Sequence, residues 1–103
     1  MNTHIDPSAL VVTNNIEKSR FELVVTGKMA IAEYIELEGK IVFTHTEVPL
    51  GLEGQGIGSK LATEGLSYAR QKNKIVLPLC PYIAAYIRRH PEYKDLVLPG
   101  FTY

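Results

Sequence analysis

Glu47-Val-Pro-Leu-Gly-Leu-Glu-Gly-Gln-Gly-Ile-Gly-Ser-Lys-Leu61 puts a glycine-rich turn between an expected strand, Ile41 to Val48, and an expected helix that starts near Ile57. Gly54, Gly56 and Gly58 have no Cβ to keep a ligand off the backbone, and the start of a helix leaves its first amide N–H groups without partners. A phosphate or pyrophosphate at such a junction accepts several hydrogen bonds and sits at the favourable end of the helix dipole. Two common phosphate motifs do not fit. A P-loop has Gly-Lys followed by Ser or Thr, whereas Gly58 is followed by Ser59 and then Lys60. A dinucleotide fingerprint needs a third small residue and a later acid on the next strand; the first slot holds Ser59, but Ile75-Val-Leu-Pro-Leu79 has no carboxylate.

On the N-terminal side of the junction, Leu10 to Thr13 and Arg20 to Thr26 are β-branched and aromatic enough for strands, with Asn14-Asn15 as the turn between them. Gly27-Lys28 is the next turn. Met29 to Leu37 alternates, Glu38-Gly39-Lys40 reverses the chain, and Ile41 to Val48 runs back as an antiparallel partner. On the other side, Leu61, Ala62, Gly65, Leu66, Tyr68 and Ala69 fall at helical spacing, and Arg70 and Lys72 close a helix ending around Asn73. Ile75 to Leu79 reads as a buried strand. Pro81 suits the first turn of a second helix, which His90-Pro91 stops. The order predicts an α+β fold, with a mainly antiparallel sheet, one parallel junction spanned by the helix from Ile57, and two main helices.

The chain has 103 residues, enough for one domain with a modest core that buries ~65% of the unfolded surface. Residues 1–8 read as a flexible terminus and 9–103 as the domain. Eleven basic and eleven acidic residues cancel, so no global field favours nucleic acid or an anionic membrane. No apolar run is long enough to span a bilayer, no export signal is visible, and the single cysteine suits a reducing compartment, so a cytoplasmic location is expected. No metal site is expected.

The spacing Glu53-Gly54-Gln55-Gly56-Ile57-Gly58 resembles the acyl-CoA pyrophosphate loop of GNAT-type acetyltransferases, commonly Arg/Gln-x-x-Gly-x-Gly/Ala. Together with His45-Thr-Glu-Val-Pro49, Pro78-Leu-Cys-Pro-Tyr82 and Arg89-His-Pro-Glu-Tyr93, the chain resembles the small GNAT-like N-acetyltransferases over about residues 9 to 97. Glu53 departs from the Arg/Gln slot, which leaves pyrophosphate to the backbone amides and sets a carboxylate near it. The resemblance implies acetyl-CoA as donor, an amine as acceptor, and entry of the donor between two strands that splay apart. Val48, Gly54, Gln55, Gly56, Ile57, Gly58, Ser59, Lys60 and Tyr82 are then the donor-binding set. The pair of helices that GNAT enzymes usually carry between their first two strands is missing. A non-catalytic acyl-CoA-binding or interaction module is the alternative.

Four residues are candidates for chemistry. Cys80 lies between a buried strand and a helix opening with Pro81, where the helix N-terminus favours thiolate; a small buried hydrophobe is the other reading. Small relatives have cysteine at the matching Leu-Cys-Pro position as a candidate catalytic group. His45 and Glu47, two apart on one strand, share a face and offer a base, or else a solvated strand surface. GNAT enzymes often use a Glu on this strand. Tyr86, four residues after Tyr82 on one helix face, matches the tyrosine that serves in the family as acid for the departing CoA thiolate; ordinary packing is its alternative. Arg88 and Arg89 offer phosphate contacts, or simply complement the helix dipole.

Overall fold

The computed structural model describes residues 10–103, and the terminus expected to be flexible, residues 1–8, lies outside them. In chain order the elements are β1 (Thr13–Asn15), β2 (Arg20–Val25), β3 (Lys28–Leu37), β4 (Lys40–Glu47), α1 (Ile57–Gln71), β5 (Ile75–Pro78) and α2 (Pro81–Arg89), followed by a 3-10 helix, Pro91–Leu96. The five strands form one sheet in the order β1-β2-β3-β4-β5. Every neighbouring pair is antiparallel except β4 with β5, which α1 joins as a crossover. The α+β class, the single parallel junction and the two main helices are those the element order predicts.

Alternation along the strands builds the core. Phe21, Leu23 and Val25 on β2, Ala30, Ala32 and Tyr34 on β3, and Ile41 and Phe43 on β4 are all buried on one face of the sheet. Against them α1 lays Ile57, Leu61, Ala62, Gly65, Leu66 and Ala69, a stripe at helical spacing. From α2, Ile83 and Ile87 join the same cluster. The opposite face of the sheet is open, with Val24, Ile35 and Leu37 exposed on it. A Cβ on Gly65 would lie 2.9 Å from the Phe43 ring, so glycine there lets α1 approach the sheet closely.

The chain's first turn differs from expectation. Asn14 and Asn15 lie in β1, and the reversal is at residues 16–19, ending on Ser19 with φ of 53°. Side-chain partners explain the shift. Asn14 Oδ1 accepts a 2.6 Å hydrogen bond from the buried Tyr34 hydroxyl, and Asn15 donates to Glu22 at 3.0 Å. Asn15 Oδ1 also accepts from the Lys18 N–H, capping the turn that follows.

A second difference decides the geometry of the site. Glu33 faces His45 across the β3–β4 ladder, but Tyr34 faces Phe43, so Thr44 is an extra residue, a β-bulge on β4. Residues directly opposite in an antiparallel pair share a face. Thr46, opposite the buried Ala32, therefore returns to the core face, while His45 and Glu47, opposite Glu33 and Ile31, go to the open face. Pairing with β5 spans Lys40↔Ile75 to Phe43↔Pro78, and the Cys80 N–H still donates to the Phe43 carbonyl at 2.8 Å. Beyond that point β4 runs on to Glu47, while β5 ends at Pro78 and gives way to α2, and the two strands part.

Candidate functional site

A cavity of about 450 Å³ lies where β4 and β5 part. Thr46 and Val48 line it from the end of β4, Leu52, Glu53, Gly54 and Gly56 from the loop, Ile57, Gly58 and Ser59 from the first turn of α1, and Tyr82 from α2. Gly54 and Gly56 adopt φ of 78° and 82° with open space at their Cβ positions, so glycine is needed there for conformation. Gly56 caps α1 in the left-handed region without a side-chain hydrogen bond, and no acid occupies the first turn. The first bond across that turn runs from the Lys60 N–H to the Gly56 carbonyl, 2.9 Å. The amides of Ile57, Gly58 and Ser59 precede the intrahelical ladder, and all three residues line the cavity. The arrangement suits an anion.

Gly58 has a different reason to be glycine. A Cβ on it would lie 2.5 Å from the Tyr82 hydroxyl, so the phenol of Tyr82 lies over the first turn of α1, its oxygen 3.5 Å from Ser59 Oγ. One turn further along both helices, the Tyr86 hydroxyl and Thr63 Oγ1 are 2.7 Å apart. Thr63 donates to the Ser59 carbonyl at 2.9 Å, so Tyr86 supplies the proton between the two hydroxyls. Its ring also stacks on His90, with centroids 4.1 Å apart. Both tyrosines reach α1, but only Tyr82 is on the cavity wall.

Cys80 caps α2 and is buried, its sulfur 3.2 Å from Thr46 Oγ1. Thr46 thus touches both the cavity and the cysteine. The sequence reading did not single it out, because its inward direction depends on the bulge at Thr44. His45 Nε2 and Glu47 Oε2 are 4.0 Å apart on the open face, both more than half exposed and away from the cavity wall. Gln55 is half-buried and outside the lining, and Lys60 lies 3.3 Å from Glu64, one turn along α1. The Glu53 carboxylate folds back on its own loop and accepts from the Gly51 N–H at 2.8 Å. Arg88 and Arg89 stand at the C-terminal end of α2, six and seven residues beyond Tyr82 and about 10 Å along the helix. Among the described residues no group of three His, Cys, Asp or Glu side chains could hold a metal ion, and no helix is long and apolar enough to cross a membrane.

A glycine-rich helix start beside two parting parallel strands is a geometry that can be tested against known families. The sequence pattern of the GCN5-related N-acetyl-transferases matches residues 20–96, from the start of β2 through the final 3-10 helix. The chain belongs to this family. No curated protein matches it with significance. In this GCN5-related chain, the match takes in the bulged strand, the glycine loop, Cys80 and both tyrosines of α2.

The far end of α1 is closed. Tyr68 donates to the Glu36 carboxylate at 2.9 Å, and Lys74 lies 3.4 Å from the same group. Burial, and then the hydrogen bond to Glu36, push the Tyr68 phenol up to about 12. Arg70 grips Asp95 through two hydrogen bonds of 2.9 and 3.0 Å and holds the Asp95 carboxyl below its ordinary value.

Proposed function

We propose that residues 9–103 form one acyltransferase domain that moves an acetyl group from acetyl-CoA to an amine. The observation that carries this reading is the cavity at the parting of β4 and β5, walled by the unpaired first turn of α1. Its volume and largely apolar walls suit part of an extended thioester, and its backbone amides suit pyrophosphate. In this reading Gly54, Gly56, Ile57, Gly58 and Ser59 hold the pyrophosphate, with Gln55 and Lys60 at the rim. Val48 and the free edge of β4 pair with the pantetheine arm, and Tyr82 packs beside it.

In direct transfer the amine nitrogen attacks the thioester carbonyl, the C–N bond forms, the C–S bond breaks, and CoA leaves as thiolate. The proton lost by the amine goes to a base, for which His45 and Glu47 are the candidates, and the thiolate takes a proton from a phenol, Tyr86 or Tyr82. In the covalent route Cys80, as thiolate, first takes the acetyl group and releases CoA; the amine then displaces the cysteine sulfur. The 3.2 Å contact between Cys80 and Thr46, a residue of the cavity wall, supports the covalent route. The outward direction of His45 and Glu47 suits a base that meets an acceptor from the open face of the sheet.

Calorimetric titration with acetyl-CoA tests the donor half. Saturable one-to-one binding supports it, and no saturation near millimolar ligand overturns it. Turnover over a panel of amines, polyamines and lysine peptides then separates an enzyme from a module that only binds acyl-CoA.

A further inference from the structure

We infer that Glu53 is a specificity-determining brake on donor binding, and that the site selects the acyl-pantetheine arm with little contribution from the donor's outer phosphate. This rests on the proposed acyl-CoA reading of the cavity. Among the residues that line the cavity, Glu53 is the sole charged one, and its charge has the sign of the ligand. Its carboxylate already sits on the loop as an internal anion, 2.8 Å from the Gly51 N–H. A pyrophosphate arriving at the Gly54 and Gly56 turn meets that charge at close range, and one of the loop's amide donors is already occupied. The nearby cation does not offset it, because Lys60 stands outside the lining and pairs with Glu64. The two arginines of α2 are at the opposite end of that helix from Tyr82. What remains attractive is backbone amides and apolar wall, chiefly Val48, Leu52, Ile57 and Tyr82.

Two consequences follow for the ligand. Each added phosphate brings charge but meets no unpaired cation on the wall, so acetyl-CoA and its 3′-dephospho form bind nearly alike. Removing the Glu53 charge while keeping its shape strengthens only donors that carry the pyrophosphate. Glu53→Gln does this, since the amide oxygen can still accept from Gly51.

The test is calorimetric titration of the full chain and its Glu53→Gln variant with acetyl-CoA, 3′-dephospho-acetyl-CoA and S-acetyl-pantetheine, at low and at physiological salt. In the unaltered chain, the two CoA forms are expected to bind within about threefold of each other. Glu53→Gln should tighten both by about fivefold at low salt, the gain shrinking as salt rises, and leave S-acetyl-pantetheine unchanged. The inference is overturned if the variant fails to tighten the two CoA forms, or if S-acetyl-pantetheine gains equally. A loss above about tenfold on removing the 3′-phosphate overturns it as well. Absence of saturation by all three ligands in both proteins removes the acyl-CoA reading together with this one, a result distinct from binding that ignores Glu53→Gln.

Discussion

Gly58 and Gly65 lie two turns apart on α1, and each is glycine because an aromatic ring occupies the place of its side chain. At Gly65 the ring is Phe43, fully inside the core between helix and sheet. At Gly58 it is Tyr82, half-buried with its hydroxyl at the edge of the cavity. The same substitution therefore meets a neighbour that cannot move in one case and one that can in the other. One helix has a sealed end, where Tyr68, Glu36, Lys74, Arg70 and Asp95 satisfy one another, and an open end, where backbone amides face a cavity. Polar groups matched within the protein belong to stability, and those left facing a cavity are available to a ligand.

The largest effect expected is on transfer. If the covalent route operates, Cys80→Ala abolishes turnover while the protein still binds acetyl-CoA; full activity in a folded variant removes that route. The two glycines follow. Gly65→Ala should cost about 1–3 kcal/mol by overpacking against Phe43, read as a lower denaturant midpoint, with donor affinity per folded molecule unchanged. Gly58→Ala should leave the midpoint within about 1 kcal/mol, because helix propensity favours alanine and Tyr82 can swing away. The displaced phenol then enters the cavity and should weaken acetyl-CoA binding about tenfold. Equal stability losses at the two positions would erase the distinction between the ends.

Smaller effects sharpen it. Thr46→Val keeps the shape and removes the hydroxyl beside Cys80; it should cost about 1 kcal/mol or less in stability and lower transfer far more than donor binding. Tyr68→Phe probes the sealed end. The Tyr68 phenol is raised from 10.0 to about 12, so the folded state holds its proton more tightly than the unfolded state. Its contribution is fully present below pH 10 and falls as pH rises from there through about 12. The phenylalanine variant should lose about 1 kcal/mol at neutral pH and show a flatter alkaline decline in stability, with acetyl-CoA binding unaffected.

What the sequence made legible was what neighbouring residues decide. The hairpin at Glu38-Gly39, the glycine junction, the stripe along α1 and the proline start of α2 each follow from a few adjacent positions. The tyrosines illustrate the boundary. Their four-residue spacing put both on one helix face, and both do reach α1, at Ser59 and Thr63. Which of them meets the cavity depends on where α2 crosses α1, a fact absent from the spacing. The Asn14-Asn15 pair reads as a turn by composition, yet its side chains are claimed by Tyr34 and Glu22 from other strands. Thr46 was missed for a related reason. Alternation along an unbroken strand would continue the inward direction of Ile41 and Phe43 to His45 and Glu47, and only the pairing of β3 with β4 reveals the interruption.

That interruption makes the site depend on counting. Inserting one residue at position 44 reverses odd and even for everything after it, so the middle of three consecutive residues looks inward and its two neighbours look out. The chemistry presented on either side of the sheet is then set by a tally of positions as much as by their identities. Pairing Thr44 as an ordinary strand residue, with no bulge, would exchange the hydroxyl of Thr46 for an imidazole and a carboxylate on the cavity side without altering any of those three residues, whereas deleting Thr44 would leave Thr46 facing inward. Among related chains, roles at this strand transfer by parity around the insertion, and an alignment that slides by one place there assigns them to the wrong side of the sheet.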